Sequence, residues 1–369
     1  MKNRCTGKLL VIAIAAIAFS CSNEKVVEAP TDNNDLALSF STYIGNPTLR
    51  ASTTDLGILK DNRGGFNVIA WKTDEDDWSA TSHEASPDFM PIGTGGTGVS
   101  VLWDNPVTGA WNYSPTKYWP GKYDGTHYGK VTFFGFSSAL GTSIVSNLAA
   151  SAIASPSFTV TIPNGVDDQK DVIADMLADR TYANTNSGNV KFQFDHILSK
   201  IGFSAKLAAV YTDATVTVTD LTIVYTANAI KNEGTYTFAT NNTQTSNWTS
   251  LTGSMSGDGY ILTSGSITLD NTASLTPSNL SGTDKFLMLL PQTTAKGNLT
   301  AQLTYTVKTG SDPGIKYYIE APLPGVTWLP GKEYTYTFNL TLNPVIFDVS
   351  TDVNVWANAT NQPATTDVK

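Results

Sequence analysis

The chain has 369 residues, of which 41% are hydrophobic and only 15% charged, and its formal net charge is −9. This length is enough for about two domains of ordinary size, each with its own core. The acidic balance and the lack of clustered Lys and Arg argue against a nucleic-acid partner, because phosphate backbones are bound by basic surfaces.

The start of the chain has the pattern of an export signal. Three basic residues precede an uninterrupted apolar run over residues 9–19, which is shorter than the about 20 residues of a membrane-spanning helix. Residues 1–20 are therefore predicted to be a signal peptide. The small residues before Cys21 resemble a bacterial lipobox, and this resemblance implies cleavage before Cys21 and lipid attachment to it, which would anchor the mature chain in the outer membrane. A secreted protein with an incidental cysteine is the alternative.

Cysteine usage limits what can stabilise the mature fold. The other cysteine, Cys5, lies within the signal peptide. The mature chain should therefore contain no disulfide and no cysteine-based metal site, and we predict no cofactor. The polar residues after Cys21 suit a tether, so residues 21–35 are predicted to be the lipidated cysteine and its linker.

From Leu36 onward the chain has short runs rich in Thr, Val, Ile, Tyr and Phe, separated by turn-forming residues. Several runs alternate apolar and polar residues with period two, which is typical of strands with one buried face. We predict an all-β fold of two tandem β-sandwiches, over residues 36–188 and 189–369, the second ending in a polar tail. The boundary is placed in residues 184–189, which contain turn formers and no apolar side chain.

Two segments stand out from the strand pattern. Residues 167–182 offer a competing helical interpretation, because Val172, Ile173, Met176 and Leu177 are spaced as on one face of a helix. The polar stretch 241–259 is predicted to be a surface loop within the second domain.

Two motifs could hold a ligand, but their contexts favour plain loops. Residues 93–98 match G-x-G-x-x-G, yet a strand pattern follows instead of the helix that a dinucleotide needs. The acidic run at residues 74–77 lacks the spacing of a calcium loop and is predicted to be a solvated turn.

The three histidines give no support for catalysis. His83, His127 and His196 are far apart in the sequence, and none has a Cys, His or Glu at ligand or triad spacing. His196 follows an alternating aromatic run, where a packed and hydrogen-bonded histidine is the expected role. The sequence therefore does not predict an enzyme.

Aromatic residues are densest over residues 103–128. Large rigid rings on loops can bind sugars or a protein partner, since few torsions are lost on contact. The other interpretation, which we prefer, is that they cover the end of a sandwich core, because a core strand follows at residues 131–136. The candidate ligand-binding residues are Trp103, Trp111, Tyr118 and Trp119.

Four stretches together resemble the fimbrillin-like family of Bacteroides-type bacteria, which includes the major and minor subunits of type V pili. They are LSFSTYIG at residues 38–45, YWP at 118–120 with VTFFGF at 131–136, VKFQFDHILSK at 190–200, and GKEYTYTF at 331–338. The resemblance implies two transthyretin-like β-sandwiches. It also implies export as a lipoprotein, proteolysis after an arginine, loss of the first strand and its replacement by a strand from another subunit. Arg50, followed by Ala51, matches the cleavage position, and residues 36–45 match the lost strand.

Strand loss has a physical consequence that does not depend on the resemblance. Removing Leu36, Leu38 and Phe40 exposes an apolar slot and unpaired backbone groups, which a matching strand would cover again. Burial of three such side chains is worth on the order of 5 kcal/mol. Such a head-to-tail contact does not close on itself, so it grows a filament. Two strand-like stretches near the C-terminus are candidate donors, with apolar residues Tyr334, Tyr336, Phe338 and Leu340 in the first and Val345, Phe347 and Val349 in the second.

The main hypothesis is a structural and adhesive pilus subunit at the cell surface, with other pilus subunits as partners and no catalytic residues. The alternative is a surface lipoprotein that binds a host glycan or protein through the aromatic residues at 103–128 and never polymerises. Cleavage after Arg50 followed by oligomerisation separates the two.

Overall fold

A computed structural model describes residues 36–44, 59–60, 65–79, 83–93, 96–104, 109–138, 144–150, 155–186, 188–239, 244–255, 260–261, 265–282, 285–342 and 348–355. The regular elements in these residues are strands, apart from a 3-10 turn at Thr245–Asn247 and one short helical turn at residues 59–60. The predicted all-β class is confirmed. No helix in the described part of the chain is long and apolar enough to cross a membrane.

Nine strands lie in the described residues up to His196. They are β1 Ser39–Ile44, β2 Phe66–Asp74, β3 Val99–Asp104, β4 Ala110–Asn112, β5 Lys130–Ser138, β6 Val145–Ala149, β7 Ser157–Thr161, β8 Val172–Arg180 and β9 Asn189–His196.

Twelve further strands follow in the described residues. They are β10 Ser199–Leu207, β11 Ala214–Tyr225, β12 Glu233–Thr237, β13 Trp248–Thr252, β14 Tyr260–Ile261, β15 Ile267–Thr268, β16 Ser278–Asn279, β17 Leu287–Leu289, β18 Leu299–Thr309, β19 Ile315–Pro322, β20 Lys332–Leu340 and β21 Asp348–Val355.

These strands form four sheets. The first has the order β1-β9-β8-β5-β2-β3-β4, and β4 approaches β1, so this sheet curls back on itself. The second has the order β13-β12-β7-β6. The third has the order β16-β10-β20-β21 with β17 also on β10, and the fourth has the order β14-β11-β18-β19 with β15 also on β11.

Both faces of the first sheet are buried. One face carries Ile69 and Phe134, which pack in a large apolar cluster with Phe158 and Tyr236 of the second sheet and continue into the third and fourth sheets. The opposite face belongs to a separate cluster, which includes Phe40 of β1 and Leu36 and Leu38 just before it. Burial on both faces explains the long apolar runs of β2 and β5, where alternation is lost.

The helical interpretation of residues 167–182 is wrong. Residues 172–180 form β8, a central strand between β5 and β9. Val172, Ile173 and Met176 are all buried, but on two opposite faces of the sheet rather than on one face of a helix. A strand that is covered on both sides has no polar alternation, so its apolar residues can imitate helical spacing.

The prediction of a loop over residues 241–259 is also wrong in part. Trp248–Thr252 form β13, which pairs with β12 in the second sheet. Trp248 is buried, and its Nε1 donates a hydrogen bond of 3.1 Å to the carbonyl oxygen of Ile197. The polar residues of this strand face away from the core, which explains why the segment reads as a loop.

Strand pairing crosses the proposed domain boundary in residues 184–189. β9, which begins at Asn189, pairs with β8 and β1 in the first sheet. In the opposite direction, β7 pairs with β12 in the second sheet. The division into residues 36–188 and 189–369 stays a prediction, and any such domains exchange strands.

Candidate functional site

The first strand of the described chain closes an apolar slot. Leu36, Leu38 and Phe40 are all buried, whereas the intervening Ser39 is exposed, which is the alternation predicted for a half-buried strand. Their side chains pack in one cluster with residues from β2, β5 and β9. The slot is therefore a cleft in the curled sheet that β1 and the residues just before it fill with three side chains.

Phe40 occupies the centre of this slot. Its ring lies 5.2 Å from that of Tyr113, 5.9 Å from that of Phe66 and 6.2 Å from that of Phe133, in edge-on arrangements. Edge-to-face contacts at these centroid distances add to the stabilisation that burial alone gives. An aromatic side chain at this position is thus surrounded by aromatic partners.

The described segment of residues 36–44, which ends in β1, is hydrogen-bonded to both sides of the slot. One edge forms a parallel ladder with β9, in which Ser39 faces Asn189 and the register continues for six residue pairs. On the other edge, the backbone N–H of Leu38 donates to the carbonyl oxygen of Lys117, and the N–H of Trp119 donates to that of Leu36, both at 2.9 Å. Departure of β1 would leave unpaired backbone groups on both walls of the slot.

Polar side chains fix the register of β1. The side-chain amide of Asn189 donates to Ser39 Oγ at 3.0 Å, and Ser41 Oγ donates to Asn189 Oδ1. Across the slot, the Tyr113 hydroxyl donates to the carbonyl oxygen of Leu38 at 2.9 Å. Burial raises the pKa of the Tyr113 hydroxyl, so it stays a neutral donor. Asn189 and Tyr113 were not predicted as site residues, because they lie far from β1 in the sequence and no sequence pattern links them to it.

The predicted processing sites lie outside the described residues. Cys21, the signal peptide, the linker, Arg50 and Ala51 all belong to segments that the structure does not describe. Their roles stay predictions.

The structure separates the two candidate donor strands. Tyr334, Tyr336, Phe338 and Leu340 lie in β20, are buried, and belong to a strand that is bonded to β10 on one side and β21 on the other. Moving β20 would break two ladders and open the core, so its position argues against the prediction that β20 is a donor. Within the described residues β21 pairs only with β20, so it can leave at the cost of one ladder. Val349 is partly buried in β21, whereas Val345 and Phe347 lie outside the described residues.

The aromatic residues at 103–128 are mostly part of the core. Trp111 and Trp119 are buried in the slot cluster, and the Trp119 indole N–H donates to the carbonyl oxygen of Gly188 at 2.8 Å. These two indoles are thus not available to a ligand. Trp103 is half-buried, with Lys60 Nζ 4.0 Å from its ring centroid. Only Tyr118 among the four candidates presents an exposed ring.

The histidines and the acidic run have local structural partners. His196 Nδ1 lies 2.7 Å from Asp171 Oδ2, and both side chains are fully buried. His83 stacks on Trp78 with ring centroids 3.7 Å apart. His127 bonds Asp124 on the surface.

In the acidic run, Asp74 pairs with Lys72 at 3.0 Å and Asp77 with Lys130 at 2.7 Å. The described residues contain no group of three or more His, Cys, Asp or Glu that could hold a metal ion. β3 follows the glycine-rich residues 93–98, so a strand occupies the place of the helix that a dinucleotide would need.

Comparison with known proteins supports the all-β fold and shows to which family the chain belongs. A family model for fimbrillin-like proteins matches residues 50–356. The chain belongs to the fimbrillin-like family. This match confirms the resemblance seen in the sequence, and it begins at Arg50, so it does not include β1.

Two relatives extend the comparison beyond the family match. The fimbrium subunit Fim1C of Phocaeicola vulgatus is 23% identical over 95% of this chain and 96% of its own length. A fimbrial protein from Bacteroides vulgatus, known from its crystal structure, has a TM-score of 0.65 and 20% identity, and the match covers 87% of this chain and 99% of that one. The second similarity supports the all-β fold of this fimbrillin-like chain.

Proposed function

We propose that the chain is a structural and adhesive pilus subunit that assembles by strand exchange at the cell surface. It is exported as a lipoprotein through Cys21 and cut after Arg50. β1 then leaves its slot, and β21 of another subunit takes its place. Membership of the fimbrillin-like family and the name of its relative, a fimbrium subunit, support assembly with other subunits.

The observation that carries the proposal is a match between the sequences around β1 and β21. Phe40-Ser41-Thr42 in β1 corresponds to Val349-Ser350-Thr351 in β21, with the serine and the threonine identical. In the same alignment, Leu36, Leu38, Phe40 and the alternate positions that follow them in the sequence each have an apolar or identical counterpart. The pairs are Leu36 with Val345, Leu38 with Phe347, Phe40 with Val349, Thr42 with Thr351, and Ile44 with Val353.

The position of β21 in its own subunit supports the same role. Val353 is 53% exposed, although it lies on the same side of the strand as the partly buried Val349. β21 therefore covers its apolar face incompletely where it is, and it would cover that face better in a slot lined by aromatic rings.

Limited proteolysis tests the proposal. Treatment of the purified protein with a trypsin-like protease should shorten the wild type to begin at Ala51 and convert it into a ladder of oligomers on a gel without boiling. Arg50→Ala should remain a monomer under the same treatment, whereas Arg63→Ala, the matched control, should assemble as the wild type does. If Arg50→Ala forms the same ladder, strand exchange after cleavage at this residue is wrong.

A cysteine crosslink tests the register. Ser41 of β1 pairs with Lys191 of β9, so Ser350 of an incoming donor should lie beside Lys191. Both native cysteines precede Arg50 and are absent after cleavage. Mixing a Lys191→Cys subunit with a Ser350→Cys subunit should then give a disulfide dimer, and a Lys191→Cys subunit with Asp348→Cys should not. If only the Asp348→Cys subunit forms the disulfide dimer, the register of the donor strand differs from the proposed one by two residues.

A second candidate function rests on two exposed rings. Tyr118 and Tyr123 are 49% and 44% exposed in the loop region beside the slot, and such rings can stack on a sugar. If glycan binding is the function of the chain, Tyr118→Ala should abolish it and Arg50→Ala should leave it unchanged, with no assembly in either protein.

A further inference from the structure

The first sheet has a weak seam between β8 and β9. β9 pairs with β1 through six residue pairs, but its ladder with β8 has only two, Ile173 with His196 and Ala174 with Asp195. β8 itself is paired with β5 along nearly its whole length. The continuous backbone ladder of this sheet therefore ends at β8, and in the described residues most of β9 pairs only with β1.

Side chains bridge the part of the seam that lacks a ladder. The backbone N–H of Gln193 donates to Asp175 Oδ2 at 2.6 Å, where a ladder would have placed a carbonyl oxygen. Above this contact the Phe192 ring crosses the seam and lies over Gly135 of β5, where a Cβ would be 2.8 Å from Phe192 Cε1. The carboxyl group thus replaces one of the missing hydrogen bonds, and the ring adds an apolar contact across the seam.

The two ends of β9 are held differently. At its C-terminal end, the N–H of Ile197 donates to the carbonyl oxygen of Val172 at 3.0 Å, and the buried contact between His196 and Asp171 lies beside it. At its N-terminal end, β9 is held by the β1 ladder, by the bond from Trp119 to the carbonyl oxygen of Gly188, and by the buried side chains of Val190, Phe192 and Phe194. Loss of β1 therefore removes the strand ladder of the N-terminal part of β9, whereas the C-terminal end keeps its bonds to β8.

We propose that β9 is a hinged wall of the β1 slot, which swings open about the residue pair of Ile173 and His196, and that Asp175, whose carboxyl group accepts from the Gln193 N–H across the closed seam, is a latch, because the closed seam buries this carboxyl group and disfavours its charge. The hinge is a property of the folded subunit. Its role in strand exchange rests on the function proposed above, because it would widen the slot when β1 leaves and a donor enters.

The latch is sensitive to charge because it is buried. Burial raises the pKa of Asp175 to about 7, against the Gln193 N–H, which lowers it. Three other titratable or charged groups act on this carboxyl or share its surroundings: Asp195 on β9, Arg180 further along β8, and Tyr236 on β12. Asp195, whose pKa is also raised by burial, to about 6, repels the ionised form, whereas Arg180 attracts it.

The sign of the effect follows from linkage. In the closed seam the carboxyl group keeps its proton up to about pH 7, whereas in an open, hydrated seam it releases its proton near the ordinary value of about 4. Opening is therefore accompanied by loss of a proton between these two values. The opening equilibrium should rise about tenfold per pH unit over that range for one such group, and level off above pH 7.

Hydrogen exchange on the intact, uncut protein tests the hinge. We expect the protection factors of β9 amides, corrected for intrinsic exchange, to fall by about tenfold per unit or more from pH 5 to 6.5, because Asp195 adds to the effect of Asp175, while those of β5 stay constant. Asp175→Asn keeps an acceptor for the Gln193 N–H but carries no charge. The slope of the logarithm of the protection factor against pH should therefore be smaller by one unit, which corresponds to one proton. The matched control Asp220→Asn removes an exposed carboxylate on β11 and should keep the wild-type slope. A flat wild-type profile, or an unchanged slope in Asp175→Asn, overturns the hinge.

A second measurement separates the hinge from strand exchange. After cleavage at Arg50, the rate at which bound β1 is replaced by a labelled peptide of residues 36–45 should increase with pH in the wild type and less steeply in Asp175→Asn. Equal pH profiles for the two proteins would show that the latch does not control the slot. If the cut protein exchanges no strand at any pH while β9 still opens in the exchange experiment, the proposed function fails and the hinge stands.

Discussion

The rings of Phe40 and Phe192 are stacked, with centroids 5.9 Å apart and an interplanar angle of 19°. Phe192 is stacked in turn on Phe194, 5.2 Å away. β1 is thus attached to β9 by a row of aromatic rings as well as by a backbone ladder. This double attachment explains how one short strand can hold the slot closed.

Phe40→Ala should lower the free energy of unfolding by about 3–5 kcal/mol, because it removes a buried ring and leaves a cavity among aromatic neighbours. Urea denaturation of the uncut protein measures this. Ser39→Ala removes one exposed hydrogen bond, the one from Asn189, on the same strand and should change stability by less than about 1 kcal/mol. A loss below about 1 kcal/mol for Phe40→Ala would mean that the slot collapses around the missing ring.

Gly135→Ala should destabilise the subunit, because its Cβ would lie 2.8 Å from the Phe192 ring and the ring has no free space in the packed cluster. We expect a loss of about 1–3 kcal/mol. Gly121→Ala is the matched control, since nothing lies within 4 Å of its Cβ. Thermal denaturation of the two variants measures this loss, and equal melting temperatures would show that the Phe192 ring can move aside.

The sequence predicted the fold class because most strands expose one face to water. β9 alternates polar and apolar residues, and Phe192 and Phe194 are buried as expected. The prediction failed at β8, where both faces are covered and the alternation disappears. Pairing between distant strands, such as β7 with β12, has no signature in a single sequence, so the mixing of the two halves was not predictable.

The sequence predicted the residues that fill the slot but not the residues that line it. Leu36, Leu38 and Phe40 were recognisable because they alternate along one strand. The opposite wall consists of Tyr113, Lys117 and other residues whose contacts with β1 depend on the curl of the sheet. Trp119 was predicted as a candidate ligand-binding residue, because the sequence does not show whether an aromatic residue beside a proline lies on the surface or in the core.

Tyr336 should make stability fall at high pH. Burial raises the pKa of its hydroxyl to about 12, so the neutral form stabilises the fold fully below the unfolded value of 10, and this contribution is lost as the pH rises from 10 to 12. Tyr336→Phe should therefore unfold less readily than the wild type between pH 10 and 12, relative to their difference at pH 8. Urea titrations at these pH values measure the effect, with Tyr123→Phe, an exposed ring, as the control. Parallel pH profiles for the wild type and Tyr336→Phe would contradict the prediction.

Val349→Lys should separate folding from assembly. In its own subunit Val349 lies on a strand bonded on one edge within the described residues, and a lysine stem can extend along the partly covered face to water. The free energy of unfolding of the uncut protein should therefore change by no more than about 1 kcal/mol. In a donor, the same side chain would replace Phe40 among the rings of Phe66 and Phe133, where an unpaired ammonium group cannot be hydrated.

The cut Val349→Lys protein should consequently fail to form the oligomer ladder, while Asn354→Lys, which places the same charge at an exposed position on the opposite face of β21, should still form it. Mixed with a wild-type donor, the Val349→Lys subunit keeps an intact slot and should accept one strand, so it should end filaments instead of preventing them. Filament length against mixing ratio, measured by electron microscopy, checks this. If Val349→Lys and Asn354→Lys assemble equally well, β21 does not enter the slot with Val349 facing inward, and the match between β1 and β21 has another cause.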